Sequence, residues 1–210
     1  MKLVVFGATG GTGKQVVAAA LAADHDVVAV ARRPEAITTT HARLRVVKGD
    51  VLDGASVSAA ITGADAVLSA IGPSNDKQPG TVISEGVVHI VAACTTASVR
   101  RLVFESGIMV GEGRGLSLFN RTALGLFRRL NGALAADKRI AEQTIRDSAL
   151  DWVIVRPVSL DDSPATGDYK TGVDIRLRLA KKLSHADVAD FMIKAASDAS
   201  VVRTIQDIGH

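Results

Sequence analysis

The chain has 210 residues, which is the size of one domain, and 47% of them are hydrophobic while 22% are charged. This composition excludes a mainly disordered chain. The net charge of +3 and the 3% share of aromatic residues argue against a nucleic-acid-binding surface, which needs more positive charge and more stacking rings. Cys94 is the one cysteine, so an intrachain disulfide and a cysteine-based metal cluster are excluded.

The first apolar run is too short for a signal peptide, and no uncharged apolar stretch has membrane-spanning length. The five histidines are scattered without the spacing of metal ligands. We therefore expect a cytoplasmic protein without a metal site that binds neither membranes nor nucleic acids.

Short apolar segments alternate along the chain with longer helical patterns. The predicted strands cover residues 2–6, 27–31, 44–48, 66–71, 101–105 and 152–156. The predicted helices cover residues 12–23, 55–62, 81–97, 135–148 and 184–196. This alternation predicts an α/β fold, a Rossmann-type doubly wound parallel sheet with helices on both faces, as a single domain over residues 1–210.

A glycine-rich turn directly follows the first predicted strand and opens the first predicted helix. Glycines allow a tight turn and a close approach of the backbone to a pyrophosphate, which the helix N-terminus then favours. The alternative is a structural turn without a ligand. The turn predicts that a dinucleotide contacts Gly7, Thr9, Gly10, Gly11, Thr12 and Gly13.

The second predicted strand runs into Arg32 and Arg33, at the position where an NAD-type site carries an acidic residue. Arginine suits a 2′-phosphate because it forms paired, charge-assisted hydrogen bonds. We therefore expect NADPH rather than NADH as the cofactor. The alternative is a pair of surface arginines at the end of a strand.

The turns after the third and fourth predicted strands offer further cofactor contacts. Asp50 can accept from the adenine amino group, and the backbone of Val51 can support the ring edge. Small residues at Ala70, Ile71 and Gly72 allow a ribose to lie against the strand end. Two irregular segments, residues 107–131 and 158–173, follow later strands at the same sheet edge and are the expected walls of a substrate site.

The chain resembles an atypical short-chain dehydrogenase/reductase of the NmrA-like NAD(P)-binding family, and within it the flavin reductase or biliverdin reductase B group. The segments that carry this resemblance are residues 7–13, 32–33, 49–51, 72–76, 81–86, 105–107, 150–157, 166–169 and 187–192. The resemblance implies a monomer, with a weak dimer left open. It also implies NADPH-dependent reduction of a small-molecule acceptor such as a flavin, a tetrapyrrole or a quinone.

The resemblance also assigns roles at the nicotinamide end of the cofactor. Ser106 takes the place of a serine that positions cofactor and acceptor, and Lys138 that of the lysine of short-chain dehydrogenases. The backbones of Pro157, Val158 and Ser159 are expected to line the nicotinamide. Leu134 occupies the place of the usual tyrosine four residues before the lysine, so carbonyl reduction by a tyrosine–lysine pair is not expected, and Ser159 replaces a histidine of the biliverdin-reducing group.

These observations predict hydride transfer from NADPH to a flat acceptor in an apolar pocket, formed by residues 108–110, the segment 116–130 and residues 159–160. Arg121, Arg128 and Arg129 are candidates for binding an anionic tail of that acceptor. Two alternative hypotheses remain open. One is an isomerase or epimerase-like enzyme, which the missing tyrosine disfavours. The other is a sensor that binds NADPH without turning it over.

Overall fold

The computed structural model describes residues 1–73 and 80–210. In these residues the chain forms six α-helices: α1 (Gly11–Ala22), α2 (Gly54–Ile61), α3 (Val82–Thr96), α4 (Leu118–Leu130), α5 (Gly132–Arg146) and α6 (His185–Ala195). It also forms ten strands: β1 (Lys2–Phe6), β2 (Asp26–Ala31), β3 (Leu44–Lys48), β4 (Ala66–Ser69), β5 (Arg101–Glu105), β6 (Asp151–Pro157), β7 (Leu160–Asp161), β8 (Lys170–Gly172), β9 (Leu183–Ser184) and β10 (Thr204–Gly209).

Eight of these strands form one sheet in the order β3-β2-β1-β4-β5-β6-β10-β8, while β7 and β9 pair separately. All neighbours in the large sheet are parallel except β8, which runs antiparallel to β10 at one edge. The chain order reverses between β1 and β4, so a crevice opens there at the carboxyl ends of the strands. This is the Rossmann-type parallel sheet that the sequence predicts, and the fold class is confirmed.

Alternate side chains of each central strand enter one of two cores. On β1, Leu3 and Val5 pack with apolar residues of α1 and α6, whereas Val4 and Phe6 pack with those of α2, α3 and α5. A parallel sheet buried on both faces needs such continuous apolar strands, which explains why the strands were recognisable from composition.

The predicted elements agree with the structure to within a few residues, with one informative exception. The fourth strand was expected over residues 66–71, but β4 ends at Ser69. Phe6 is the last residue of β1 and pairs with Ser69. Gly7 then turns away from the sheet with a φ of +76°, so β1 offers the chain beyond Ser69 no further strand residue to pair with.

Four strands and one helix were not predicted. The strands β7, β8 and β9 are only two or three residues long. The strand β10 extends the large sheet beside β6. The helix α4 lies in the segment expected to be irregular, where Leu124 is buried while Phe119, Leu126 and Leu130 are largely exposed. Among the described helices, none has both the length and the apolar character that a bilayer crossing requires.

Candidate functional site

A pocket of about 500 Å³ opens at the carboxyl ends of β1 to β5, where the chain order of the sheet reverses. The sequence-predicted residues that line it are Gly7, Thr9, Gly10, Gly11, Thr12, Arg32, Arg33, Asp50, Val51, Ala70, Ile71, Gly72 and Lys138. The fold thus gathers residues from five separate segments into one cavity. Glu105, His185 and Val82 also line it, and the sequence interpretation did not include them.

Two glycines of the loop are required by close backbone contacts. A Cβ on Gly7 would lie 2.3 Å from the carbonyl oxygen of Ala70, and one on Gly13 would lie 2.0 Å from the carbonyl oxygen of Gly7. Gly13 does not line the pocket; it lets α1 pack under the loop instead. The Gly10 N–H donates to the Gly7 carbonyl at 2.9 Å and closes the turn.

Arg32 and Arg33 lie at the end of β2, with both side chains exposed at the pocket wall. Asp50 follows the end of the next strand, and its carboxylate accepts the Leu52 N–H at 3.0 Å, while the Ser56 hydroxyl bonds both the backbone N–H and the carbonyl of Asp50. The Val51 carbonyl is held at 2.8 Å from Nδ1 of His89. These contacts fix the part of the pocket wall that follows β3, the strand next to β2.

A chain of polar side chains lies beneath the glycine loop. The Thr12 hydroxyl donates to Oε1 of Glu105 at 2.8 Å and lies 2.8 Å from Nδ1 of His185. Nearby, Lys138 Nζ donates to the Ser106 carbonyl. Burial raises the pKa of Glu105, against the opposing effects of Lys138, the Thr12 hydrogen bond and His185.

Lys138 is the basic counterpart of this buried carboxyl. Burial lowers its pKa, while Glu105, Glu142 and Asp137 act in the opposite direction. A lysine with a lowered pKa and a glutamate with a raised pKa in the same cavity form a pair able to hold or exchange a proton. The family resemblance assigned a role to Lys138, whereas Glu105 belonged to a segment that carries the resemblance but was given no role of its own.

Ser106 does not line the pocket. Its side chain is 2% exposed, and its hydroxyl has no hydrogen-bond partner among the described residues. Its backbone N–H donates to the Val155 carbonyl at 2.7 Å, and its own carbonyl holds Lys138. Within the described residues, Ser106 therefore positions Lys138, and its catalytic role stays a prediction.

The residues at and just after the end of β6, Pro157, Val158 and Ser159, do not line the cavity either. The Val158 N–H donates to Ile208, and the Ser159 carbonyl accepts from Leu183 at 2.9 Å. Both backbone groups are thus used inside the fold, and the cofactor contact expected of them stays a prediction.

The segment 107–131 is more ordered internally than expected. Arg128 donates from Nε to the Met109 carbonyl at 2.8 Å and also bonds the Gly111 carbonyl, so it ties α4 to the preceding turn. Val110 and Leu116 are buried instead of facing a cavity. This arrangement disfavours Arg128 as a ligand for an acceptor's anionic tail.

A second cavity of about 230 Å³ adjoins the first, since Pro73 lines both. Its walls come from the junction of α4 and α5, with Leu130 and Leu134 as the larger side chains. Ser74, Asn75 and Asp76, which contribute to the family resemblance, lie outside the described residues.

Tyr169, the one tyrosine of the chain, lies outside the pocket lining. Its hydroxyl donates to Asp190 at 2.5 Å and accepts from Lys194, and burial together with the Asp190 contact raises its pKa to about 12. Among residues 1–73 and 80–210, no group of three or more His, Cys, Asp or Glu side chains is placed to hold a metal ion.

Known proteins are similar to this chain in sequence and in fold. A chloroplastic protein of unassigned function from Arabidopsis thaliana is 34% identical over 175 residues, covering 80% of this chain and 62% of the relative. The (4-alkanoyl-5-oxo-2,5-dihydrofuran-3-yl)methyl phosphate reductase of Streptomyces griseus is 34% identical over 155 residues, covering 74% of this chain and 46% of that protein. The chain thus spans about three fifths of the length of the Arabidopsis protein and less than half of the length of the Streptomyces reductase.

A crystal structure of a short-chain dehydrogenase/reductase from Veillonella parvula in complex with NADP has the same fold. Its TM-score is 0.79 at 22% identity, with 100% of this chain and 94% of that chain covered. The family model described as NAD(P)H-binding matches residues 7–199, which include the glycine loop and all the pocket-lining segments. The chain therefore belongs to the NAD(P)H-binding family.

Proposed function

We propose that the protein is an NADPH-dependent reductase that transfers a hydride to a flavin or quinone-like acceptor. The observation that carries the proposal is one pocket lined by the glycine loop, Arg32 and Arg33 together with Lys138 and Glu105. NADPH supplies the hydride when bound. The Streptomyces relative that bears a reductase name and the Veillonella structure with NADP support this direction.

The preference for the phosphorylated dinucleotide rests on the end of β2. An acidic residue there would accept from a ribose hydroxyl, but the first residues after the strand are two exposed arginines. Guanidinium groups bind a phosphate with two parallel charge-assisted hydrogen bonds. Arg32 and Arg33 therefore fit a 2′-phosphate and offer nothing that discriminates in favour of a free hydroxyl.

The acceptor class rests on the absence of a tyrosine donor beside Lys138. Leu134 occupies the position four residues earlier and lines the second cavity, next to Leu130 and Pro73. An apolar wall suits a flat conjugated ring, which accepts a hydride without a phenolic acid at the carbonyl. In this arrangement Lys138 holds the proton that the reduced acceptor takes up, and the apolar side chains exclude water.

The test mixes purified protein with NADPH and follows nicotinamide absorbance while FMN, riboflavin, a simple quinone and a dye are added separately. NADH runs in parallel. We expect oxidation that depends on both protein and acceptor and is faster with NADPH. Turnover of simple aldehydes or ketones in preference to flavins and quinones would contradict the acceptor assignment.

One observation favours a second candidate, an NADPH-binding sensor that does not turn the cofactor over. The Ser106 hydroxyl is buried away from the pocket, and Leu134 replaces the usual proton donor, so the expected side chains for catalysis are absent from the lining. Tight NADPH binding without turnover on any acceptor would favour this candidate. A search for a protein partner whose binding responds to NADPH would then follow.

A further inference from the structure

His185 is placed against the glycine loop by the packing of α6 on α1. It is the first residue of α6 and lines the same pocket as Gly10 and Gly11. A Cβ on Gly11 would lie 2.6 Å from Nε2 of His185, so a larger residue at position 11 would displace the ring from this place. The imidazole therefore lies where the loop is expected to hold a pyrophosphate.

The hydrogen bonds of Thr12 define which nitrogen of His185 is available. The Thr12 hydroxyl has one proton, which it donates to Glu105, so it accepts from the Nδ1–H of His185. Nε2 is then the ring atom left to bind a proton or a ligand. This assignment follows because the Thr12 hydroxyl has a single proton to donate. It holds as long as the Glu105 carboxylate is ionised.

Three carboxyl groups belong to the surroundings of His185. Glu105 of β5 lies one hydroxyl away, and Asp162 after β7 lies 4.0 Å from Nε2 with its side chain almost fully exposed. Asp161 also interacts with His185, while Asp187 on α6 itself is turned toward Thr166, Gly167 and Ser184.

The loop has no cation of its own along residues 7–13. Lys14 follows it but does not line the pocket, and Arg32, Arg33 and Lys138 come from other elements. A dinucleotide phosphate bridge brings two negative charges to the loop, next to the buried Glu105. His185 is the basic side chain that the structure places directly against the loop, beside Gly11 and Thr12.

We propose that His185 binds the phosphate bridge of the dinucleotide through Nε2 in its protonated form, and that cofactor binding is accompanied by proton uptake at His185. The proposal rests on the dinucleotide lying in this pocket and is independent of any acceptor. It adds a binding residue, with a pH dependence, to a loop that would otherwise bind phosphate through backbone N–H groups alone.

The test measures the Kd of NADH by isothermal titration calorimetry at about pH 6 and about pH 8.5, on either side of the range in which imidazole titrates. NADH is used because it lacks the 2′-phosphate, which titrates in the same range. We expect the wild-type protein to bind roughly 10-fold more tightly at the lower pH, the strength of one charge-assisted hydrogen bond. His185→Gln should abolish that difference by weakening binding at the lower pH.

His185→Lys keeps a positive charge that does not titrate in this range. It should bind NADH at the higher pH about as tightly as the wild-type protein does at the lower one. His41→Gln is the matched control, because His41 is exposed and lies outside the pocket lining, and its Kd values should equal those of the wild type. Thermal unfolding of each variant verifies that it is folded.

Titration of the wild-type protein at about pH 7 in buffers of different ionisation enthalpy counts the protons taken up on binding. A measurable uptake in the wild type that is reduced in both His185 variants supports the proposal. Equal Kd values for the wild type and His185→Gln at both pH values, or no proton uptake, overturn it while leaving the dinucleotide site intact. Failure of the wild type to bind NADH or NADPH overturns both this inference and the proposed function.

Discussion

Single backbone contacts decide which glycines of the loop can be replaced. Gly13 contributes no pocket surface, yet its α-carbon lies so close to the Gly7 carbonyl that a methyl group would be 2.0 Å from that oxygen. The contact joins the backbone of the loop after β1 to the backbone of the first turn of α1. Neither can move without opening the turn on which the whole pocket is built.

We expect Gly13→Ala to lower the free energy of unfolding by about 3 kcal/mol, the upper range for overpacking. Gly125→Ala in α4 is the control, because a Cβ there meets nothing within 4 Å. Since alanine is the better helix former, this control should raise the free energy of unfolding by about 0.5–1 kcal/mol. Urea unfolding measures both, and a Gly13→Ala protein as stable as the wild type would contradict the packing argument.

The two arginines after β2 are expected to set cofactor preference. Replacing both Arg32 and Arg33 with alanine should weaken NADPH binding by about 10- to 100-fold, and NADH binding should change less than about threefold. Arg43→Ala serves as the matched control, since Arg43 pairs with Asp24 outside the pocket. The measurement is the ratio of the two Kd values, and an unchanged ratio would show that the arginines are only surface residues.

At the scale of elements, α5 completes the N-terminus of α3. The Asp137 carboxylate accepts the backbone N–H of Ile83 at 3.1 Å and of Ser84 at 2.9 Å, while its side chain is 5% exposed. The first N–H groups of a helix have no partner within that helix. Here a residue more than 50 positions away supplies the acceptor, which links α5 to α3.

Asp137→Ala should therefore lower the free energy of unfolding by about 2 kcal/mol, because it leaves two buried N–H groups without an acceptor. Asp147→Ala is the control, since Asp147 lies at the exposed end of α5 and bonds only a side chain of its own turn. Chemical denaturation compares the two. A loss no larger for Asp137→Ala than for Asp147→Ala would mean that water satisfies the end of α3.

At the scale of the whole molecule, stability depends on a carboxyl buried near the sheet edge. Burial raises the pKa of Asp207 from 3.8 to about 6, although Arg156 opposes the shift. Arg156 is itself held by Glu142 through a bidentate pair beneath the segment 107–131. The folded protein therefore keeps a proton on Asp207 at pH values where the unfolded chain has released it.

This raised pKa makes the folded state less stable as the pH rises through about 6, since the stabilising contribution is complete only below about 4. Asp207→Asn removes the buried charge and should raise the free energy of unfolding by about 2 kcal/mol at pH 7.5. The gain should vanish at about pH 4. Urea midpoints at the two pH values check this, and a gain of equal size at both would exclude the titration of Asp207 as its cause.

The sequence by itself determined the parallel sheet, the position of most helices and the glycine loop, because these depend on local periodicity and on glycine at a strand–helix turn. It also brought Arg32, Arg33 and Asp50 to the expected sheet edge, since strand ends meet there in any doubly wound fold. Local patterns could not reveal β10 and the short strands, whose pairing depends on neighbours far along the chain, or α4, whose apolar side chains stay largely exposed.

Only the tertiary structure decided which polar groups meet beneath the loop. Thr12 is 93 residues from Glu105 and 173 from His185, so no spacing in the sequence connects them. The packing of α6 on α1 and the pairing of β4 with β1 and β5 bring them into contact. Tertiary packing likewise turned the Ser106 side chain inward and placed Leu134 against the second cavity. The orientation of a side chain at a strand end or on a helix face depends on the neighbouring elements that pack against it.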